Sequence, residues 1–193
     1  MFNKKITWKM YKKFILILLL MCSQSNAEII FTDKFHPTNE WTLITDKVMG
    51  GISTGRYNYE KIDNNDVIKI TGNVLTKNNG GFIQIRRNLD GINLSNAKNI
   101  EVLAKGNNEK YFIHLRTSFT ILPWQYYQYS FTVKENFKNF VLPIKNFKKS
   151  GLLLPNEINP QNIKSIGIVA FGKDYRAELA VREISFTNWM LKI

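Results

Sequence analysis

Two stretches of the chain repeat one alternation of side-chain chemistry. In Phe82 to Asn88, read as an extended strand, Phe82, Gln84 and Arg86 share one face and Ile83, Ile85 and Arg87 the other. In Tyr111 to Ser118, Phe112, His114, Arg116 and Ser118 share a face, while Tyr111, Ile113, Leu115 and Thr117 point to the core. Aromatic, polar, arginine therefore recurs in the same order on the non-core side. Within one sheet, Arg86 and Arg116 would offer planar forks to a carboxylate, a phosphate or sugar hydroxyls. Phe82, Phe112 and the Trp124-Gln125-Tyr126-Tyr127 segment would supply an apolar or stacking floor. His114, between the arginines in strand order, would add a donor whose charge changes near neutral pH. The competing reading is the ordinary solvated face of an antiparallel sheet, which also alternates polar with apolar. The sequence leaves both open.

Other site chemistry is thinly represented. Gly50 and Gly55 have phosphate-loop spacing, but Arg56-Tyr57 stand where Lys and Ser or Thr are required, and no helical pattern follows. Ser53 lacks the strand-turn-helix nucleophile elbow. His36 and His114 are the only histidines, so no clustered metal spacing exists. No cofactor motif is present, and the expectation is a non-enzymatic chain. Asp33 and Glu183 would be the carboxylates of a structural calcium if the terminal strands pair, against the simpler reading of surface acids.

The elements that would position the two arginine strands are themselves strands. Period-two runs cover 66–75, 82–87, 100–104, 111–118, 126–133, 140–144, 163–171 and 178–186, rich in Ile, Val, Phe and Tyr and separated by Gly, Asn, Asp and Pro. No long run has apolar residues at i, i+3, i+4 and i+7. The pattern predicts an all-β chain, an antiparallel sandwich or jelly roll, as one domain over 28–193. The stretch 148–161, with two prolines, is the longest expected loop.

Two glycine-rich blocks punctuate this pattern: Asp46-Lys47-Val48-Met49-Gly50-Gly51-Ile52-Ser53-Thr54-Gly55 and Asn78-Asn79-Gly80-Gly81. Gly50, Gly51, Gly55, Gly80 and Gly81 are read as residues of tight structural turns, with positive φ among the paired glycines; the alternative is that these loops line a ligand or partner site. Asp46 and Asn79 are expected to bond to backbone N–H groups within those turns.

Residues 1–27 read as a leader. Lys4, Lys5, Lys9, Lys12 and Lys13 precede an unbroken apolar run from Phe14 to Met21, and Ser25-Asn26-Ala27 offers a cleavage site. Met10 would begin a tidier leader and is an alternative start to Met1. The expected product is secreted or periplasmic, with no stable membrane insertion. The full chain carries 27 basic and 15 acidic residues, and subtracting the leader's five lysines leaves 22 against 15, a surplus of seven. That surplus is dispersed, which argues against a nucleic-acid partner. Cys22, the single cysteine, falls within the leader, so the mature chain must be held by its core. About 166 residues suffice for that.

With these residues in view, the chain resembles the complex I intermediate-associated protein family. Trp41, the Asp46 to Gly55 block, and Asn79-Gly80-Gly81-Phe82 with Arg86 carry the resemblance. It implies a galactose-binding-domain-like β-sandwich, an architecture shared with family eleven carbohydrate-binding modules. The resemblance also implies an interaction module assisting assembly of a protein complex. The alternative function is a carbohydrate-binding module, with a glycan on the face of Phe82, Gln84, Arg86, Phe112, His114 and Arg116.

Overall fold

The computed structural model describes residues 28–38 and 41–189. The leader, both possible start methionines and Cys22 lie outside the described residues. Twelve strands follow one another with only single turns of 3-10 helix between them: β1 (Ile29–Asp33), β2 (Trp41–Thr45), β3 (Thr54–Ile62), β4 (Asn65–Val74), β5 (Phe82–Asn88), β6 (Asn99–Gly106), β7 (Lys110–Thr117), β8 (Tyr127–Thr132), β9 (Lys138–Pro143), β10 (Lys148–Lys149), β11 (Ile163–Phe171) and β12 (Tyr175–Thr187). Every pairing is antiparallel.

The strands form two six-stranded sheets. One runs β3-β4-β12-β6-β9, with β1 paired to the far end of β12 beyond β4. The other runs β10-β8-β7-β11-β5-β2. Alternating residues of both sheets fill the space between them: Ile68, Ile70, Ile100, Val102, Leu179 and Val181 from the first meet Ile83, Ile85, Ile113, Leu115, Ile166 and Ile168 from the second. All twelve are fully or almost fully buried. Burying such side chains stabilises by about 1.5–3 kcal/mol each, before the entropy of ordering them is subtracted.

Asp46 joins the two glycine blocks. Its carboxylate is fully buried and accepts hydrogen bonds from the Ser53 N–H (2.9 Å) and hydroxyl, and from the Gly81 N–H (2.6 Å). The Phe82 N–H lies at 3.4 Å. Ser53 in turn accepts from the Leu75 N–H at 3.0 Å. Desolvation alone raises the Asp46 pKa, but the bonds from Ser53, Gly81 and Phe82 more than reverse this and hold it below the usual carboxylate value.

The glycines therefore serve different ends. Gly50 (φ 89°) and Gly81 (φ 121°) occupy conformations that side chains rarely adopt. Gly51 and Gly80 do not; a Cβ would lie 2.3 Å from Asp46 Cγ at Gly51 and 2.4 Å from Asp46 Oδ2 at Gly80. Gly55 is in strand β3 rather than a turn, because Ile83 of the facing sheet packs where its Cβ would be, at 2.5 Å. Asn79 reaches φ 56° and makes no side-chain hydrogen bond among the described residues, so the expected Asn79 turn bond is absent. Gly50→Ala should cost about 1 kcal/mol, from backbone conformation alone, since nothing lies within 4 Å of the added carbon. Gly51→Ala should cost about 2–3 kcal/mol, because the tied Asp46 cannot move aside. Urea unfolding of the two variants measures the difference, and equal losses would contradict the crowding argument.

Asp33 does not meet Glu183 at a cation site. Its buried carboxylate accepts from the Phe35 N–H (2.7 Å), the Trp41 indole N–H (2.9 Å) and the Arg87 guanidinium. Arg87, on the core-facing side of β5, also lies over the Phe31 ring at 5.2 Å. Among the described residues no group of three or more His, Cys, Asp or Glu is placed to hold a metal ion.

Candidate functional site

Strand β11 lies between the two arginine strands. Gly167 of β11 pairs with Arg86 on one side and His114 on the other, and Ser165 pairs with Arg116. Extended across the sheet, this row reads Thr42, Arg86, Gly167, His114, Gln128. The core faces of β5 and β7 point inward as Ile83, Ile85, Tyr111, Ile113 and Leu115, so Arg86, His114 and Arg116 share the outer face of one sheet.

That face is a groove of about 460 Å³. Phe82, Gln84, Arg86, His114 and Arg116 line it, with Phe171 and Tyr126 at one side. Its two rims are apolar: Val48 and Met49 from the first glycine block, and Pro123 and Trp124 from the loop between β7 and β8. Gly167 lets the Gln84 side chain lie close against the strand. A Cβ there would lie 3.0 Å from Gln84 Cδ, so the Gln84 amide occupies the space beside it. A glycine inside a β-run signals this close approach. That was the readable sign of Gly167, and Val48 and Met49 belong to the first glycine block, whereas Phe171 left no sign.

The six residues expected on this face are not equivalent. Phe112 stands behind the groove rather than in its lining, packed edge-on against Phe171 at 5.7 Å. Arg116 uses two of its N–H groups internally, Nη1 to the Pro123 carbonyl (2.8 Å) and Nη2 to the Thr120 carbonyl (2.7 Å). The expected free fork of Arg116 is therefore corrected to a clamp on the β7–β8 loop. Burial, and secondarily the charge of Arg86, push the Arg116 pKa down. Arg86 makes no hydrogen bond or ion pair among the described residues.

His114 departs from expectation too. Only 7% exposed, it is stacked on Tyr126 with ring centroids 4.0 Å apart and planes 9° from parallel. Burial pushes its pKa down to about 3, with the Gln128 side chain opposing. It therefore stays neutral near pH 7 and does not switch there. Its Nε2 and the Gln128 Oε1 are buried without a partner at strict hydrogen-bond geometry.

The β7–β8 loop is fixed from several directions. Thr120 Oγ1 accepts from the Thr117 N–H and donates to the Thr117 carbonyl, at 3.0 and 2.7 Å. Gln125 Oε1 accepts from the Leu122 N–H, and the Ser150 hydroxyl accepts from the Tyr126 N–H and donates to the Trp124 carbonyl. These bonds hold Ile121 (83% exposed) and Trp124 (63%) outward. Leu152 and Leu153, just beyond Ser150, are also exposed.

Two antiparallel sheets packed face to face define a jelly-roll β-sandwich. The chain belongs to the complex I intermediate-associated protein 30 (CIA30) family, whose model matches residues 29–181. No curated protein matches the sequence. Among solved structures it is similar to the family 11 carbohydrate-binding module of the cellulosomal cellulase Lic26A-Cel5E of Clostridium thermocellum. That similarity has a TM-score of 0.68 at 15% identity and covers 85% of this chain and 95% of the module. The Clostridium thermocellum module in complex with a β-1,3-1,4-mixed-linked tetrasaccharide superposes with a TM-score of 0.66, again at 15% identity, covering 83% and 95%. These likenesses concern the fold.

Proposed function

We propose that the chain is a non-catalytic binding module that holds a glycan in the groove on the β5-β11-β7 face. The observation that carries this reading is the groove's make-up. Aromatic rings at Phe82, Tyr126, Phe171 and Trp124 surround polar groups at Gln84 and Arg86 on a rigid sheet. Sugars present apolar C–H faces and a belt of hydroxyls, and such a surface answers both. The fold likeness to a module described with a bound tetrasaccharide supports the same reading. The lysine-rich, apolar start of the sequence supports action after export, with the mature chain beginning at Glu28. Among the described residues no helix is long and apolar enough to cross a membrane.

A second reading, assistance in assembling a protein complex, follows from the family and is favoured by one specific observation. Val48, Ile121, Trp124, Leu152 and Leu153 are all exposed on loops beside the same sheet. Solvent-facing apolar side chains held in place suit a protein partner. A glycan array with the mature protein is expected to give hits that Trp124→Ala weakens by about tenfold, the scale of one lost stacking contact. An array without hits, beside a crosslink to one envelope protein that Ile121→Ser abolishes, would favour assembly instead.

A further inference from the structure

The groove holds two guanidinium groups and no acid. Arg86 and Arg116 flank β11 at Gly167 and Ser165, two residues apart along one strand, and no Asp or Glu lines the groove. Other half-buried guanidinium groups are answered, Arg87 by Asp33 and Arg182 by Asp63, whereas Arg56 and Arg176, which also share a pocket without an acid, are exposed to solvent. Like charges brought together at a half-buried site repel, and each is costly without a counter-charge. The pair persists with the Arg116 side attached to loop carbonyls, while Arg86 faces the groove with all five of its N–H donors uncommitted among the described residues.

From this we propose that the groove selects an acidic glycan, a chain of uronic acid residues, with a sugar carboxylate seated on the Arg86 fork. The proposal rests on the glycan reading above and narrows it. Arg86 forms the paired N–H···O bonds that a planar carboxylate accepts. Arg116, fixed by Thr120 and Pro123, adds charge but keeps its orientation. Gly167, having no side chain, lets the Gln84 amide settle against the strand beside Arg86, where it is placed to reach a ring hydroxyl. A neutral sugar would leave both cations unanswered.

The test compares two probes that differ only at C6: cellotetraose and the β-1,4-linked tetramer of glucuronic acid. Calorimetric titration of the full mature chain should show the glucuronate binding at least about tenfold tighter, the value of one charge-assisted contact. Raising salt from about 0.05 to about 0.5 M should narrow the gap, as screening requires. Arg86→Ala should abolish the preference, bringing the affinity for the glucuronate tetramer down to that of the same variant for cellotetraose, and Arg86→Lys should recover less than half of it in log affinity, on the order expected when the fork is lost. Equal affinity for the two tetramers would overturn the acidic selection and leave the glycan reading standing. Binding of neither would sink both. Binding of a short Asp/Glu-rich peptide in place of either tetramer would also overturn the proposal, since the carboxylate would then come from a protein.

Discussion

Asp46→Ala is expected to lower the unfolding free energy by about 3–5 kcal/mol, through several buried donors left unsatisfied at once. The Ser53 and Gly81 N–H groups lie in separate turns 28 residues apart, and the Asp46 carboxylate serves both. Its removal leaves those amides facing an empty space that Gly51 and Gly80, lacking side chains, cannot fill. Asp46→Asn should lose less, about 2 kcal/mol, because its carbonyl can still accept while its NH₂ opposes one of the donors. Urea titration should show a shifted midpoint with an unchanged slope.

The same carboxylate predicts an acid response. Its folded-state pKa lies below the ordinary aspartate value of 3.8, so its contribution is complete above that value and disappears as pH falls through the lower, folded one. The difference in stability between the native chain and Asp46→Asn should therefore be constant above about pH 5 and shrink below about pH 4. A difference that grows on acidification would show that the carboxylate is not stabilised as its bonds indicate.

Arg87→Ala should be about as damaging, at about 3–5 kcal/mol, because it leaves the fully buried Asp33 carboxylate without its positive partner. The Trp41 and Phe35 N–H bonds to Asp33 would remain, and the Arg87 contact with the Phe31 ring would go as well. The double replacement Asp33→Asn with Arg87→Met should be milder than Arg87→Ala alone, since it removes both charges and keeps the volume. A double-mutant cycle measures this. Additive losses would mean that the two side chains do not support one another.

These two sites mark the boundary of what the sequence discloses. Strands β4 to β9, β11 and β12 are visible as alternation, because each is at least six residues long and carries apolar side chains at alternate positions. β1, β2 and β10 are five, five and two residues, too short for a period-two pattern to stand out. The faces of β5 and β7 are readable for the same reason as the strands. Their common sheet is not, since it depends on β11, which arrives about 50 residues after β7. Asp46 could be assigned to a local turn, but its bond to Gly81 spans 35 positions and no local rule contains it. Arg116 shows the same limit. Its clamp on Thr120 and Pro123 depends on a loop conformation that the alternating pattern does not encode. Arg87 closed an otherwise apolar series, Ile83 and Ile85, and an arginine on a core face calls for an acid; the identity of that acid required β1 to be in place.

The central position of the last two strands has a kinetic consequence. β11 completes one sheet between β7 and β5, and β12 completes the other between β4 and β6. Until residues 163–187 have emerged, each sheet is two unjoined halves with open inner edges. Contacts of such long sequence separation close slowly, and unpaired edges in the meantime invite wrong partners. Neither sheet can close before these two strands are available, so the late strands delay folding. The groove face is likewise complete only once β11 lies between the two arginine strands.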